Sequence, residues 1–249
     1  MYEQRNLELV LRSHFPIIVM ETHEERRALN LLKKVVGAGS KKLFRWSAAE
    51  GLQAQPLAPS RSPDFAGLAL VPDEEPESVD PEVALTELKN GYQRSVIALL
   101  DFHPYLTNPK IVRLVKEIAQ AGESNGNVLV FISHELELPS EIRKLSARFE
   151  LSLPDAQRIR KLVSEEAQLW RLKEGGKRPV KADRRAMELL VQNLQGLTVS
   201  DARRLIRNAI YNDGAITHDD LSQVMQAKYD LVSQGGVLSF EYDTASFSD

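Results

Sequence analysis

Glu21-Thr22-His23-Glu24-Glu25 places three carboxylates in one turn, directly after the apolar run Phe15-Pro16-Ile17-Ile18-Val19-Met20 and with no glycine at the junction. The run reads as a strand, and the residues after the turn read as a helix. A strand that enters a helix through a glycine-rich loop can wrap bare backbone N–H groups around phosphate. The pattern G-x-x-x-x-G-K-S/T adds a lysine and a hydroxyl for the γ-phosphate and Mg²⁺. Here the glutamates complement the helix dipole themselves and repel a triphosphate. The turn has the position of a phosphate loop and none of its donors.

Asp101 closes the unbroken apolar run Ser95-Val96-Ile97-Ala98-Leu99-Leu100. A carboxylate at the C-terminal end of a buried strand sits where open α/β sheets bind ligands. In an ATPase it would hold Mg²⁺, and a following glutamate would polarise the attacking water. Phe102-His103-Pro104 follow instead and supply no such base, and a turn-capping role into Pro104 competes with any role in binding. Ser133 and His134 end the next apolar run, where a polar sensor would face a γ-phosphate. Without phosphate, Ser133 is expected to bond the strand-end backbone. The histidines at 14, 23, 103, 134 and 218 make no H-x-x-x-H or comparable spacing, so no metal is expected, although His103 and His134 read as neighbours at the sheet edge. No residue is assigned a catalytic role.

Two glycine-bearing segments are decoys. Gly37-Ala38-Gly39-Ser40-Lys41 follows a helix and precedes a strand, the reverse of the order phosphate binding needs, and Gly175-Gly176-Lys177-Arg178 lies between helices as turn chemistry. Basic residues concentrate late, among them Arg158, Arg160, Lys161, Arg171, Arg203, Arg204 and Arg207. They suit nucleic acid or an acidic partner, but Glu165, Glu166, Asp183, Glu188 and Asp201 are interspersed, as on solvated helix faces.

These residues have to be positioned by a chain of 249 residues, 43% hydrophobic and 27% charged, with a net charge of -3. That is the composition of a globular protein with a sizeable core and no global attraction to polyanions. There is no cysteine, which excludes disulfides, thiolate zinc sites and cysteine nucleophiles and fits a cytoplasmic protein. The amphipathic N-terminus is no signal peptide, and no apolar run approaches the ~18 residues of a membrane span.

Strands are expected at 15–20, 43–47, 95–101, 128–133 and 148–153, alternating with amphipathic helices and hence mostly parallel. Thr22 and Glu25 have capping-box spacing, Gly37 reads as a C-cap, and a helix is expected from Pro81 to Gly91. Residues 51–81, rich in Pro, Ser and acids, read as an irregular insertion. After Asp155 the pattern is helical, at 155–173, 183–194, 199–211 and 217–229. This divides the chain into an α/β domain at 1–154, a helical subdomain at 155–232 and a linker at 233–249.

The order of the Phe15–Met20 strand, a helix, and the strands at Leu43–Ser47, Ser95–Asp101 and Val128–Ser133 resembles an AAA+ module. Leu138-Pro139-Ser140-Glu141-Ile142-Arg143 and a last strand ending at Pro154 continue the likeness, and the later helices, including Leu197 to Leu205, resemble its lid. The whole chain is similar to the N-terminal region of AAA-family ATPases shared by chloroplast genomes, cyanobacteria and other bacteria, where a degenerate AAA-like domain precedes an intact one. Ala245-Ser246-Phe247-Ser248-Asp249 resembles the run-in to that intact domain. The implied fold is an α/β, P-loop-type parallel sheet with helices on both faces, followed by a small all-α lid.

The same resemblance implies a Walker B remnant at Asp101 and a sensor remnant at Ser133. It makes Arg143 or Arg148 arginine-finger-like contacts to a neighbouring subunit and Arg203 or Arg204 lid-sensor equivalents. ATP and Mg²⁺ belong to the following domain, with no cofactor here. The implied role is a non-catalytic regulatory, assembly or substrate-docking domain. Its partners would be its own C-terminal AAA domain, neighbouring subunits of a ring homo-oligomer, and a protein substrate, with no membrane. The alternatives are a nucleic-acid-binding module using the basic lid helices, and a divergent nucleotide-binding enzyme.

Overall fold

The computed structural model describes residues 2–57, 78–173 and 179–234. The chain divides into two compact units, Met1–Ser152 and Leu153–Asp249. The linker expected at 233–249 and the Gly175-Gly176-Lys177-Arg178 segment lie almost wholly outside the described residues, as do residues 58–77 of the expected insertion.

The first unit runs α1 (Tyr2–Arg12), β1 (Ile17–Glu21), α2 (Glu25–Gly37), β2 (Lys42–Ser47), β3 (Gly51–Ala54), α3 (Pro81–Gly91), β4 (Ser95–Leu100), α4 (Pro109–Asn125), β5 (Val128–Ser133), α5 (Ser140–Arg143) and β6 (Ser146–Arg148). One sheet contains all six strands in the order β3-β2-β4-β5-β1-β6. Every pairing is parallel except the β2–β3 hairpin. β4 and β5 are buried along their whole length, as strands covered on both faces must be.

Alternate residues feed two cores. Ile17, Val19, Ile97, Leu99, Leu129 and Phe131 pack with α3 and α4 on one face. Ile18, Met20, Val96, Ala98, Val128 and Val130 pack with Leu7 of α1 and the apolar stripe of α2 on the other. Helices therefore cover both faces, and the strand period of two decides which core each residue joins. At the N-terminal edge, the buried Asn127 accepts from the Ser95 amide at 3.0 Å and donates to the Tyr92 carbonyl at 2.8 Å, fixing the start of β4 beside β5.

The second unit packs α6 (Ala156–Lys173), α7 (Arg184–Asn193), α8 (Val199–Asp213) and α9 (His218–Gln234) around one apolar cluster. Asp183 caps α7 and Thr198 caps α8 through side-chain acceptors. Gly214 ends α8 at φ +76°, and a Cβ there would lie 2.5 Å from the Trp170 ring, so both conformation and space demand glycine. A two-residue parallel ladder, Lys181–Ala182 with Ala215–Ile216, interrupts a region expected to be wholly helical.

Three further expectations are corrected. Residues 51–54 are a strand rather than part of an irregular insertion, because the turn at Gly51 (φ +69°) folds them back on β2. The last strand covers 146–148 rather than 148–153, pairing with Ile17–Val19 and releasing the sheet after Phe149. The Thr22/Glu25 capping box does not form. Glu24 occupies the N-cap, and the Thr22 hydroxyl accepts from the Glu24 amide at 2.9 Å.

Candidate functional site

The C-terminal ends of β4, β5 and β1 are adjacent in the sheet, which brings Asp101, Ser133, His134 and the Glu21–Glu25 turn to one edge. Backbone bonds set the spacing: Thr22 N–H donates to the Ser133 carbonyl at 2.8 Å and Asp101 N–H to the Ile132 carbonyl at 3.0 Å.

The turn after β1 is closed by its own charges. Glu21 accepts from Arg148 at 2.8 Å across the strand ends. Glu24, buried at 6% exposure, accepts from Arg27 at 2.7 Å. Arg27 also donates to Glu3 at 2.7 Å and to the Ser152 carbonyl at 2.6 Å, which ties α1, α2 and the end of the unit together. A triphosphate needs converging N–H donors and a lysine. This turn offers side-chain acceptors already paired to arginines, and the residues do not fit a nucleoside triphosphate.

The strand ends carry a different chemistry. Asp101 stands in the left-handed region at φ +46°, a conformation uncommon outside glycine. Phe102, 1% exposed, anchors the turn against Trp46, Tyr105 and Phe131, with ring centroids 5.0, 5.3 and 5.9 Å away. Its neighbours Asp101 and His103 are held at the outer surface on either side. His103 Nδ1 lies 3.2 Å from the Ser133 hydroxyl, and the His103 and His134 rings meet edge to face at 5.1 Å. His23, from the turn after β1, stacks on His134 at 5.7 Å. Ligand atoms of Asp101, His103 and His134 all lie within 4.8 Å of one another. Sequence spacing did not single out this cluster, because its members come from two segments joined only by the β4–β5 pairing.

The arginines are placed as follows. Arg143 donates to the Leu138 carbonyl through Nε and Nη2, at 3.3 and 2.9 Å. Arg148 ends the last strand rather than beginning it, and holds Glu21. In the second unit, Arg203 bonds both Glu165 and Glu166 at 2.6 Å, Arg207 bonds Glu166 at 2.6 Å, and Arg158 bonds Glu165 at 3.0 Å. Arg204 is exposed.

The family model of the SpoVK-like AAA ATPase N-terminal domain matches residues 3–151, and that of the SpoVK-like second domain matches 157–235. The chain belongs to the SpoVK-like AAA ATPase family. The boundary between the two units, at Ser152 and Leu153, falls in the gap between the two matches. Among curated relatives, the uncharacterized AAA domain-containing protein ycf46 of Guillardia theta is 24% identical over 249 residues, 98% of this chain and 44% of that protein. The ycf46 protein of Pyropia yezoensis is 21% identical over 239 residues, 95% of this chain and 44% of that protein. The chain thus spans less than half the length of either relative. Two variants of RuvB from Thermotoga maritima share the fold, with TM-scores of 0.51 and 0.50 at 12% and 15% identity. Each match covers 90% of this chain and 68% of RuvB. An AAA+-type parallel sheet followed by a helical region is therefore the fold of the chain. Among the described residues, no helix is long and apolar enough to cross a membrane.

Proposed function

We propose that this chain is a non-catalytic regulatory and assembly domain of a larger AAA ATPase, with ATP and Mg²⁺ bound by a following catalytic domain. It would dock on that domain, on neighbouring subunits of a ring homo-oligomer, or on a protein substrate. The observation that carries the reading is the turn after β1, where Glu21 and Glu24 are neutralised by Arg148 and Arg27 instead of opening onto a phosphate. Because both carboxylates are paired, the obstacle to nucleotide is less their repulsion than the absence of donors.

The nucleic-acid alternative draws less support, since Arg158, Arg203 and Arg207 of the basic lid already neutralise Glu165 and Glu166. The decisive experiment is a calorimetric titration of the 249-residue chain with Mg-ATP, alongside ATPase and assembly assays of the longer protein with and without residues 1–234. No heat of binding up to millimolar ATP is expected, with slower turnover or weaker assembly once the domain is removed. Micromolar ATP affinity lost on changing residues 21–25 would overturn the reading, as would unaltered turnover and assembly in the shortened protein.

A further inference from the structure

We propose that Asp101, His103 and His134 form a binding site for a single divalent transition-metal ion, of which zinc is the first to test. Two imidazoles and a carboxylate are a donor set that suits Zn²⁺ and its neighbours, whereas Mg²⁺ selects oxygen ligands and keeps its waters. Ligand atoms around a tetrahedral zinc lie about 3.4 Å apart. Those of the three residues are already within 4.8 Å, with Asp101 and His134 exposed and His103 half-buried.

Four features preorganise the group. The buried Phe102 fixes the backbone between Asp101 and His103. The left-handed conformation of Asp101 sets where its carboxylate leaves the chain. Ser133, buried behind the site, faces His103 Nδ1 at 3.2 Å. The tautomer protonated at Nδ1 donates to that hydroxyl and presents the Nε2 lone pair, as metal-ligating histidines commonly do. His23 stacks on His134 and restrains its ring. Water would complete a tetrahedral set around a bound ion.

A bound ion would cross-link the end of β4 to the end of β5 at the sheet edge that faces the emptied turn. It would stand where the family resemblance places a Walker B carboxylate, but with a chemistry chosen by imidazole. The proposal is independent of whether the domain is regulatory.

The test is a titration of the 249-residue chain with Zn²⁺ against a chromogenic chelator, repeated with Co²⁺ to read coordination from its visible absorption. One equivalent should bind with a dissociation constant below about 10 μM, with a four- or five-coordinate Co²⁺ spectrum. His134→Ala and Asp101→Asn, both at exposed positions, should each weaken binding at least tenfold, with unchanged melting of the metal-free protein. Binding weaker than about 10 μM would overturn the proposal. So would equal affinity in both variants, or displacement of Zn²⁺ by millimolar Mg²⁺.

Discussion

In the helical unit, Arg203 and Arg207 converge on Glu166, a side chain with none of its surface exposed; in the α/β unit, Arg143 and Arg148 lie at the rim, 62% and 64% exposed. The α/β unit is held by apolar burial on both faces of a sheet; it has a buried carboxylate of its own, Glu24, paired to Arg27, while Arg143 and Arg148 stay at the edge. The helical unit has a smaller core with an ion cluster beside it, fed by α6 and α8. The difference bears on which arginines can serve another molecule. A guanidinium that satisfies a buried carboxylate cannot leave without stranding a charge, whereas one on the rim exchanges its partner at little cost.

The largest expected effect breaks the buried side of this comparison. Glu166→Ala removes the shared acceptor, leaving the half-buried Arg203 with Glu165 alone and the exposed Arg207 to water. We expect a loss of about 2 kcal/mol in the helical unit, below the range for a stranded buried charge because Arg207 is open to water and Arg203 retains Glu165. Each unit carries one of the two tryptophans, Trp46 in the sheet core and Trp170 against the helical cluster, so single-tryptophan variants read the units separately. Destabilisation should appear in the Trp170 transition. An equal loss in the Trp46 transition, or none in either, would dissolve the contrast.

The sharper features of both units were legible wherever local chemistry agreed with tertiary structure. The helix expected from Pro81 to Gly91 is α3, whose N-cap in the structure is Asp80, and unbroken apolar runs marked β4 and β5. β3 escaped because a four-residue edge strand with one fully apolar side chain, Leu52, carries too little periodicity. The register of β6 was misplaced because Phe149 and Leu151 alternate like a strand, yet they pack on the second core after the pairing has ended. Thr22 has capping-box spacing, but its backbone amide continues toward Ser133 and its hydroxyl serves Glu24. The histidine cluster was readable only as far as noting that His103 and His134 follow two strand ends. Their convergence with Asp101 depends on β4 and β5 being neighbours, which no local spacing encodes.

A second, smaller effect concerns pH. Burial raises the Glu165 carboxyl, but hydrogen bonds and charge from Arg203 and Arg158 outweigh it and hold the group below the ordinary range. A carboxylate depressed on folding contributes stability that is full above its unfolded value, about pH 4.3, and is lost as pH falls through the folded value. The helical unit should therefore weaken below about pH 4.5, and Glu165→Gln should flatten that slope while lowering stability at pH 7. An unchanged acid profile in the variant would place the titration elsewhere.

The smallest effect on stability tests the exposed side of the comparison. Arg148→Ala removes a pair with Glu21 whose partners are 64% and 34% exposed. Such a pair is worth at most about 1 kcal/mol, and water takes over the carboxylate. Glu21 lies at the exposed end of β1, so its loss of a partner does not reach the core. Arg143 differs, because its fork bonds the Leu138 carbonyl and so shapes the loop ahead of α5. If these side chains meet a neighbouring subunit's phosphate in the longer ATPase, the guanidinium stabilises charge that develops there and not in this domain. Arg148→Ala would then lower turnover or assembly of the longer protein severalfold, with the melting of the 249-residue chain almost unmoved. Lysine at 148 would keep the charge and lose the bidentate fork, recovering only part of the rate. Equal turnover and assembly in the Ala variant would reduce Arg148 to the clasp on Glu21, no more available to a partner than the arginines held by the buried Glu166.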